Sequence, residues 1–183
     1  MSLTITPTSL TDVLILEPRV WKDERGFFLE SFNERDFLQA TGLNVSFLQD
    51  NHSRSKRGVL RGLHYQTKQP QGKLVRVTKG EVFDVAVNLQ RNHPDFGKWV
   101  GILLSEDNQR QLWIPPGFAH GFVILSDWAD FLYKTTDYFA PEHERALLWN
   151  DPDIGIEWPI DFEPILSAKD LKAPRLGDAE LFD

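Results

Sequence analysis

Between residues 45 and 136 the chain is a succession of short segments rich in β-branched and aromatic residues, each cut off by turn-forming residues. Strand-like stretches fall at 45–51, 58–66, 73–78, 81–89, 99–104, 111–115, 121–125 and 130–136, with Lys79 and Gly80 as one tight connection. None of the intervals is long or periodic enough to hold a crossover helix. Parallel neighbours need such crossovers, so the spacing predicts an antiparallel sandwich or barrel. The segment 81–89 adds a detail. Phe83, Val85, Val87 and Leu89 fall on one face, and Val82, Asp84, Ala86 and Asn88 on the other. One bulky face and one small, partly polar face fit a barrel wall whose second face lines a cavity.

Outside that run the signals are fewer. Residues 12–18 read as a first strand stopped by Pro18, and 23–26 as a polar turn leading into 27–32. A helix follows, with Asn33 as N-cap, acidic residues in its first turn, Phe37, Leu38 and Ala40 for apolar contact, and Gly42 at the C-cap. The last forty residues are broken by prolines, with a short helix over 167–171, and Trp113, Trp149 and Trp158 are expected to pack in the core. There is no repeat or low-complexity linker, and 183 residues form one domain over 1–183 with few short helices.

The available chemistry is narrowed by exclusion. With no cysteine there is no disulfide, thiolate nucleophile or cysteine-ligated zinc, which leaves His, carboxylate, Tyr and Lys. A net charge of −7 argues against nucleic acid as a partner. No apolar run spans a membrane and no signal-peptide pattern opens the chain, so a cytoplasmic protein is expected. Gly97 to Gly101 lacks phosphate-loop spacing and no Gly-x-Gly-x2-Gly occurs, which argues against a nucleoside triphosphate or nicotinamide cofactor.

Within those limits His64 is a candidate general base, with Asp170 or Asp84 as the carboxylate that orients it. Tyr133 is a candidate acid for the opposite face of a carbanion, although a strand tyrosine more often packs a core. Lys73 and His120 can stabilise an oxyanion. Arg25 and Arg61 suit a diphosphate, Arg61 within a cluster with Arg54, Lys56 and Arg57, and the amide edges of Gln49 to Asn51 suit a nucleobase. Arg61 and His64 have opposite strand parity, so a bulge or bend at Gly62 is needed to turn both into one cavity.

Gly58-Val-Leu-Arg-Gly-Leu-His64 and, about fifty residues on, Pro115-Pro-Gly-Phe-Ala-His120 resemble the two motifs of cupin jelly rolls. A metal-binding cupin reads His-x-His and then Glu in the first motif. Here Tyr65 and Gln66 follow His64, which points to metal-free proton transfer. A wider set of motifs runs through the chain in order: Asp23 to Gly26, Gln49 to Ser53, Val59 to His64, Gln71 to Lys73, Gly80 to Val87, Trp113 to Phe122, Tyr133-Lys134, Trp149 to Pro152 and Leu166 to Asp170. Together they closely resemble the dTDP-4-dehydrorhamnose 3,5-epimerases.

The resemblance implies a cupin jelly roll and a homodimer with an exchanged N-terminal strand. It also implies no metal or other cofactor, and epimerisation at C3 and C5 of dTDP-4-dehydro-6-deoxy-D-glucose in the supply of dTDP-L-rhamnose for cell-surface polysaccharide. Carried over, His64 is the base, Asp170 its partner, Tyr133 the acid and Lys73 the group near the C4 oxygen. Substrate contacts are implied at Arg25, Phe27, Glu30, Gln49, Asp50, Asn51, Arg61, His120, Glu144 and Lys169. Of these, Arg25 and Glu30 cross the dimer, Phe27 lies by the thymine, and Glu142 competes with Glu144. The alternatives are a single-centre epimerase or 3,4-ketoisomerase on the same fold and, more remotely, a metal-dependent cupin oxygenase or a sugar-binding barrel.

Overall fold

The strand Glu81–Asn88 shows how this sequence builds a wall. In the computed structural model, which describes residues 3–182, it is paired antiparallel on both sides, and its alternating faces enter different environments. Val82 and Ala86 join the core between two sheets, while Val85, Val87 and Leu89 join a second core outside. The small, partly polar face is the inner one, as the sequence predicts.

Numbered along the chain, the strands are β1 (Leu3–Pro7), β2 (Leu14–Pro18), β3 (Val20–Asp23), β4 (Gly26–Leu29), β5 (Gln49–Lys56), β6 (Leu60–Gln66), β7 (Lys73–Lys79), β8 (Glu81–Asn88), β9 (Trp99–Ser105), β10 (Gln111–Ile114), β11 (Phe118–Ile124), β12 (Trp128–Thr135) and β13 (Glu144–Ala146). The helices are α1 (Glu34–Thr41) and α2 (Ala168–Leu171). One sheet is ordered β1-β2-β10-β7-β12-β5 and faces a second ordered β13-β6-β11-β8-β9, with β3 and β4 as a separate hairpin. The named pairs are antiparallel throughout, and the architecture is the mainly β, cupin-type jelly roll with few helices. Residues 1, 2 and 183, the ends of the expected 1–183 unit, lie outside the described residues.

Three apolar clusters hold it together. Val75, Val77, Leu112, Ile114 and Phe131 from one sheet meet Val82, Phe122 and Ile124 from the other. The C-terminal segment covers the outer face of the five-stranded sheet through Leu147, Ile154 and Ala179. Helix α1 lays Phe37 on Trp113, Leu16 and Leu74 outside the six-stranded sheet. That helix has the predicted caps: Asn33 accepts from the Asp36 amide, and Gly42 closes it at φ 74°.

Two differences from the sequence reading are instructive. Strand β1 was not expected, because its apolar Leu3 and Ile5 alternate with threonines over only five residues. The strand expected at 45–51 begins instead at Gln49 and runs to Lys56. Val45 and Phe47 pack against α1 and Trp113 without joining a ladder. The strand itself reads Gln-Asp-Asn-His-Ser-Arg-Ser-Lys and carries no hydrophobic signal, since its inner face lines a polar cavity and its outer face is exposed.

Candidate active site

β6 and β11 are neighbours, with His64 opposite His120 and Arg61 opposite Phe122. Three steps on β6 are thus matched by two on β11, so β6 carries one extra residue and Arg61 and His64 both turn inward. Gly62 sits at this bulge with φ +127°, and a Cβ there would lie 2.5 Å from the Gly121 Cα. Only glycine allows that conformation and that approach.

The cavity so formed has a volume of about 270 Å³. Arg61, His64 and His120 reach it from one sheet, Lys73, Tyr133 and Asn51 from the other, and Glu144 and Phe139 from its rim. His64 and Tyr133 therefore stand on opposing walls.

His64 Nε2 lies 2.6 Å from Asp170 Oδ1. The carboxylate is delivered by the one-turn helix α2, whose N-cap Ser167 accepts from the Asp170 amide. Burial alone raises the Asp170 carboxyl, but hydrogen bonds from His64 and Ser167 and the neighbouring charges of His64 and Lys169 bring it below the ordinary carboxylate range. With Asp170 ionised, the ring nitrogen facing it carries the hydrogen, and the other holds the lone pair that a base requires.

Asp84, the alternative partner for His64, instead pairs with His120, whose Nε2 is 2.9 Å from Asp84 Oδ2. Asp84 is fully enclosed, and His120 is buried but for the edge that lines the cavity. Burial pushes the Asp84 carboxyl up and the His120 imidazole down, and each partially restrains the other. Lys73 is also buried, which lowers its ammonium to about 8 against the pull of Asp84 and Glu144, and its Nζ donates to the His64 carbonyl at 3.3 Å. Tyr133 is raised by burial, with Arg61 opposing and Glu144 reinforcing, so the phenol keeps its proton at neutral pH.

The remaining expected contacts divide into two groups. Arg61 donates from Nε and Nη2 to Ser55 Oγ at the cavity wall, and Glu144, which lines the rim, bridges Lys169 at 2.6 Å. Glu142 points outward toward His143. Gln49 donates to Asn51 and accepts from the Phe139 amide, holding the rim loop. Four others do not reach the cavity within one chain. Asp50 alternates to the outer face of β5, where it pairs with Lys134. Arg25 pairs with Asp23 at the β3–β4 turn, Phe27 is 61% exposed on that hairpin, and Glu30 accepts from Asn33. Of the cationic cluster, Arg54 pairs with Asp130, Arg57 lies over Phe162 and Lys56 is exposed at the end of β5, while Arg61 lines the cavity.

Sequence reasoning passed over Gln66, Gln71 and Phe139. Gln66 and Gln71 bind backbone of the 137–140 loop, which brings Phe139 to the rim. The only local signal was the unbroken aromatic pair Tyr138-Phe139 in a loop. Among the described residues no three His, Asp or Glu side chains are grouped to hold a metal ion, and the two facing imidazoles are each engaged by an aspartate. This donor set does not fit a cupin metal centre.

With this geometry in hand, comparison with known proteins is informative. The sequence model of the dTDP-4-dehydrorhamnose 3,5-epimerase family matches residues 7–178. The chain is 62% identical over 177 residues to the dTDP-4-dehydrorhamnose 3,5-epimerase of Pseudomonas aeruginosa, covering 97% of this chain and 98% of that one. It is 58% identical over 178 residues to the enzyme of that name from Salmonella typhimurium, with 97% of each covered. Among solved structures, a dTDP-6-deoxy-D-glucose-3,5-epimerase from Legionella pneumophila in complex with dTDP-4-keto-L-rhamnose superposes with a TM-score of 0.95. It shares 50% identity, and the match covers 97% of this chain and 95% of that one.

Proposed function

The chain belongs to the dTDP-4-dehydrorhamnose 3,5-epimerase family, and from that premise we propose how its own residues carry the reaction. It is a dTDP-4-dehydrorhamnose 3,5-epimerase of dTDP-rhamnose biosynthesis, an isomerase. The substrate is a dTDP-4-dehydro-6-deoxy-sugar whose C4 ketone acidifies the protons on C3 and C5. One base, one oxyanion stabiliser and one opposite-face acid therefore suffice for both inversions.

His64 removes each proton, and Asp170 fixes its tautomer and stabilises the imidazolium that forms. Lys73, with His120 beside it, stabilises negative charge developing on the C4 oxygen. Tyr133 returns a proton from the other side of the ring. The observation that carries this reading is the placement of His64 and Tyr133 on opposing sheets across one cavity, with Lys73 lining that cavity from β7 and its Nζ donating across to the His64 carbonyl.

Arg61, Gln49, Asn51, Glu144 and Lys169 lie at or behind the walls and are assigned to the nucleotide-sugar. Arg25, Phe27 and Glu30 complete the site from a second copy through an exchanged N-terminal strand. Support for this lies in the isolated β3–β4 hairpin, which leaves Phe27 and Phe28 more than 60% exposed. Asp50 has a place in this scheme only as a partner of Lys134 on the outer face. Residues 1–183 act as a single jelly-roll unit in the cytoplasm, without metal or other cofactor.

The test is proton NMR in deuterium oxide. Deuterium at both C3 and C5, with rhamno-configured product, is the expected result. Label at one carbon, or none with the sugar nucleotide bound, overturns it in favour of a single-centre epimerase or a binding barrel.

A further inference from the structure

Asp151 is a buried carboxylate that the reaction scheme leaves without a task. It is 1% exposed, is not among the residues that line the cavity, and spends both oxygens on backbone amides: Oδ1 accepts from Asp153 at 3.0 Å and Oδ2 from Leu176 at 2.6 Å. The first bond, with the Ile154 and Gly155 amides on the Asp151 carbonyl, shapes its own turn. The second reaches across to the segment that follows α2.

That segment decides where Asp170 sits. Helix α2 is a single turn of four residues, too short to hold itself in place, and it is tethered on both sides. Before it, Ile165 pairs with Gly58 and Leu60 at the start of β6. After it, the Pro174 carbonyl accepts from Leu148 and the Leu176 amide bonds to Asp151. Leu147, next to Leu148, exchanges two hydrogen bonds with Leu63, the neighbour of His64. The contacts form a closed circuit from His64 through Leu63, Leu147, Asp151 and Leu176 to Asp170 and back to His64.

We propose that Asp151 is a positioning residue for the His64–Asp170 pair, clasping the strand side of the circuit to the helix that carries the carboxylate. A carboxylate suits the role because a backbone N–H bonded to a charged acceptor makes a shorter and stronger bond than a neutral pair. The proposal rests on the reading of Asp170 as the partner of the base. A displacement of about 1 Å at a reacting group can cost on the order of a hundredfold in rate.

The experiment is a double-mutant cycle read by deuterium exchange into the dTDP-4-dehydro-sugar. Asp151→Asn is expected to lower kcat by about tenfold to a hundredfold, with KM held within about twofold because no cavity residue changes. In an Asp170→Asn background the same change is expected to cost less than about twofold, since the positioned group is already lost. An equal loss in both backgrounds, or a KM effect alone, overturns the proposal while leaving the Asp170 reading intact. Full activity of Asp170→Asn alone overturns both. Should Asp151→Asn fail to fold, Leu176→Pro removes only the amide that Leu176→Ala keeps. Arg175 at ψ 163° already has the backbone that precedes proline. Leu176→Pro is expected to fall below Leu176→Ala by a similar factor, and equality of the two overturns the proposal.

Discussion

Two His–Asp pairs stand side by side in this barrel, on residues that face each other across one β ladder, and their surroundings make them chemically different. His64 is partly open to the cavity, and its partner Asp170 is held below the ordinary carboxylate range. His120 and Asp84 are buried, with only an edge of His120 at the cavity, and burial shifts both toward their neutral forms. The open pair favours a carboxylate that polarises an imidazole toward taking a proton. The closed pair favours a neutral imidazole fit to donate a hydrogen bond rather than to act as base. Identical side chains at matched register thus acquire separate roles from solvent access and from the element that supplies the acid.

The comparison breaks most sharply at the base. His64→Ala is expected to lower exchange at both C3 and C5 by about 10⁴-fold, and Asp170→Asn by about 10³-fold, each with thermal unfolding little changed. Retention of full exchange by either variant reverses the assignment of the two pairs.

Lys73 lies between the pairs and links activity to pH in a direction opposite to stability. Its native pKa of about 8 lies below the ordinary 10.5, so between those values the unfolded chain binds a proton that the native state does not. Stability should therefore rise with pH across that window, by about 3 kcal/mol at most, while exchange activity declines as the ammonium is lost. Lys73→Met should lower kcat by about a hundredfold yet unfold at higher temperature than the parent below pH 8. Parallel pH profiles of activity and unfolding would show that the ammonium is not the oxyanion stabiliser.

The smallest effect on rate is expected at the closed pair. Asp84→Asn leaves a buried imidazole poorly matched, at a cost of about 1–3 kcal/mol in urea unfolding, with exchange reduced by about tenfold. A loss of exchange as large as that of Asp170→Asn, with no change in stability, would make Asp84 part of the proton-transfer machinery.

Much of this was legible before any coordinates. The alternating faces of β8, the caps of α1, the short helix near 167–171 and the need for a bulge at Gly62 are all local facts of periodicity and backbone conformation. The edge strand β5 was misplaced because strand signals report burial, and a strand with one face in a polar cavity and the other exposed supplies none. The principal site candidates, His64, Tyr133, Lys73, His120 and Arg61, were legible from side-chain chemistry, but that chemistry left Asp170 and Asp84 as equal partners for His64, and only the family motifs pointed to Asp170.

What the sequence by itself determined is the antiparallel barrel with a small, polar inner face, and the presence of His, Asp, Lys and Tyr as its only chemistry. Those properties are written in short-range spacing and in composition. Tertiary structure brought Asp170, the partner the family motifs imply, onto His64 and gave Asp84 to His120, turned Asp50 away, and set Arg25, Phe27 and Glu30 on a hairpin apart from the cavity. Pairing of groups 106 residues apart, and the desolvation that sets their protonation, arise only when distant segments are packed against the same sheet.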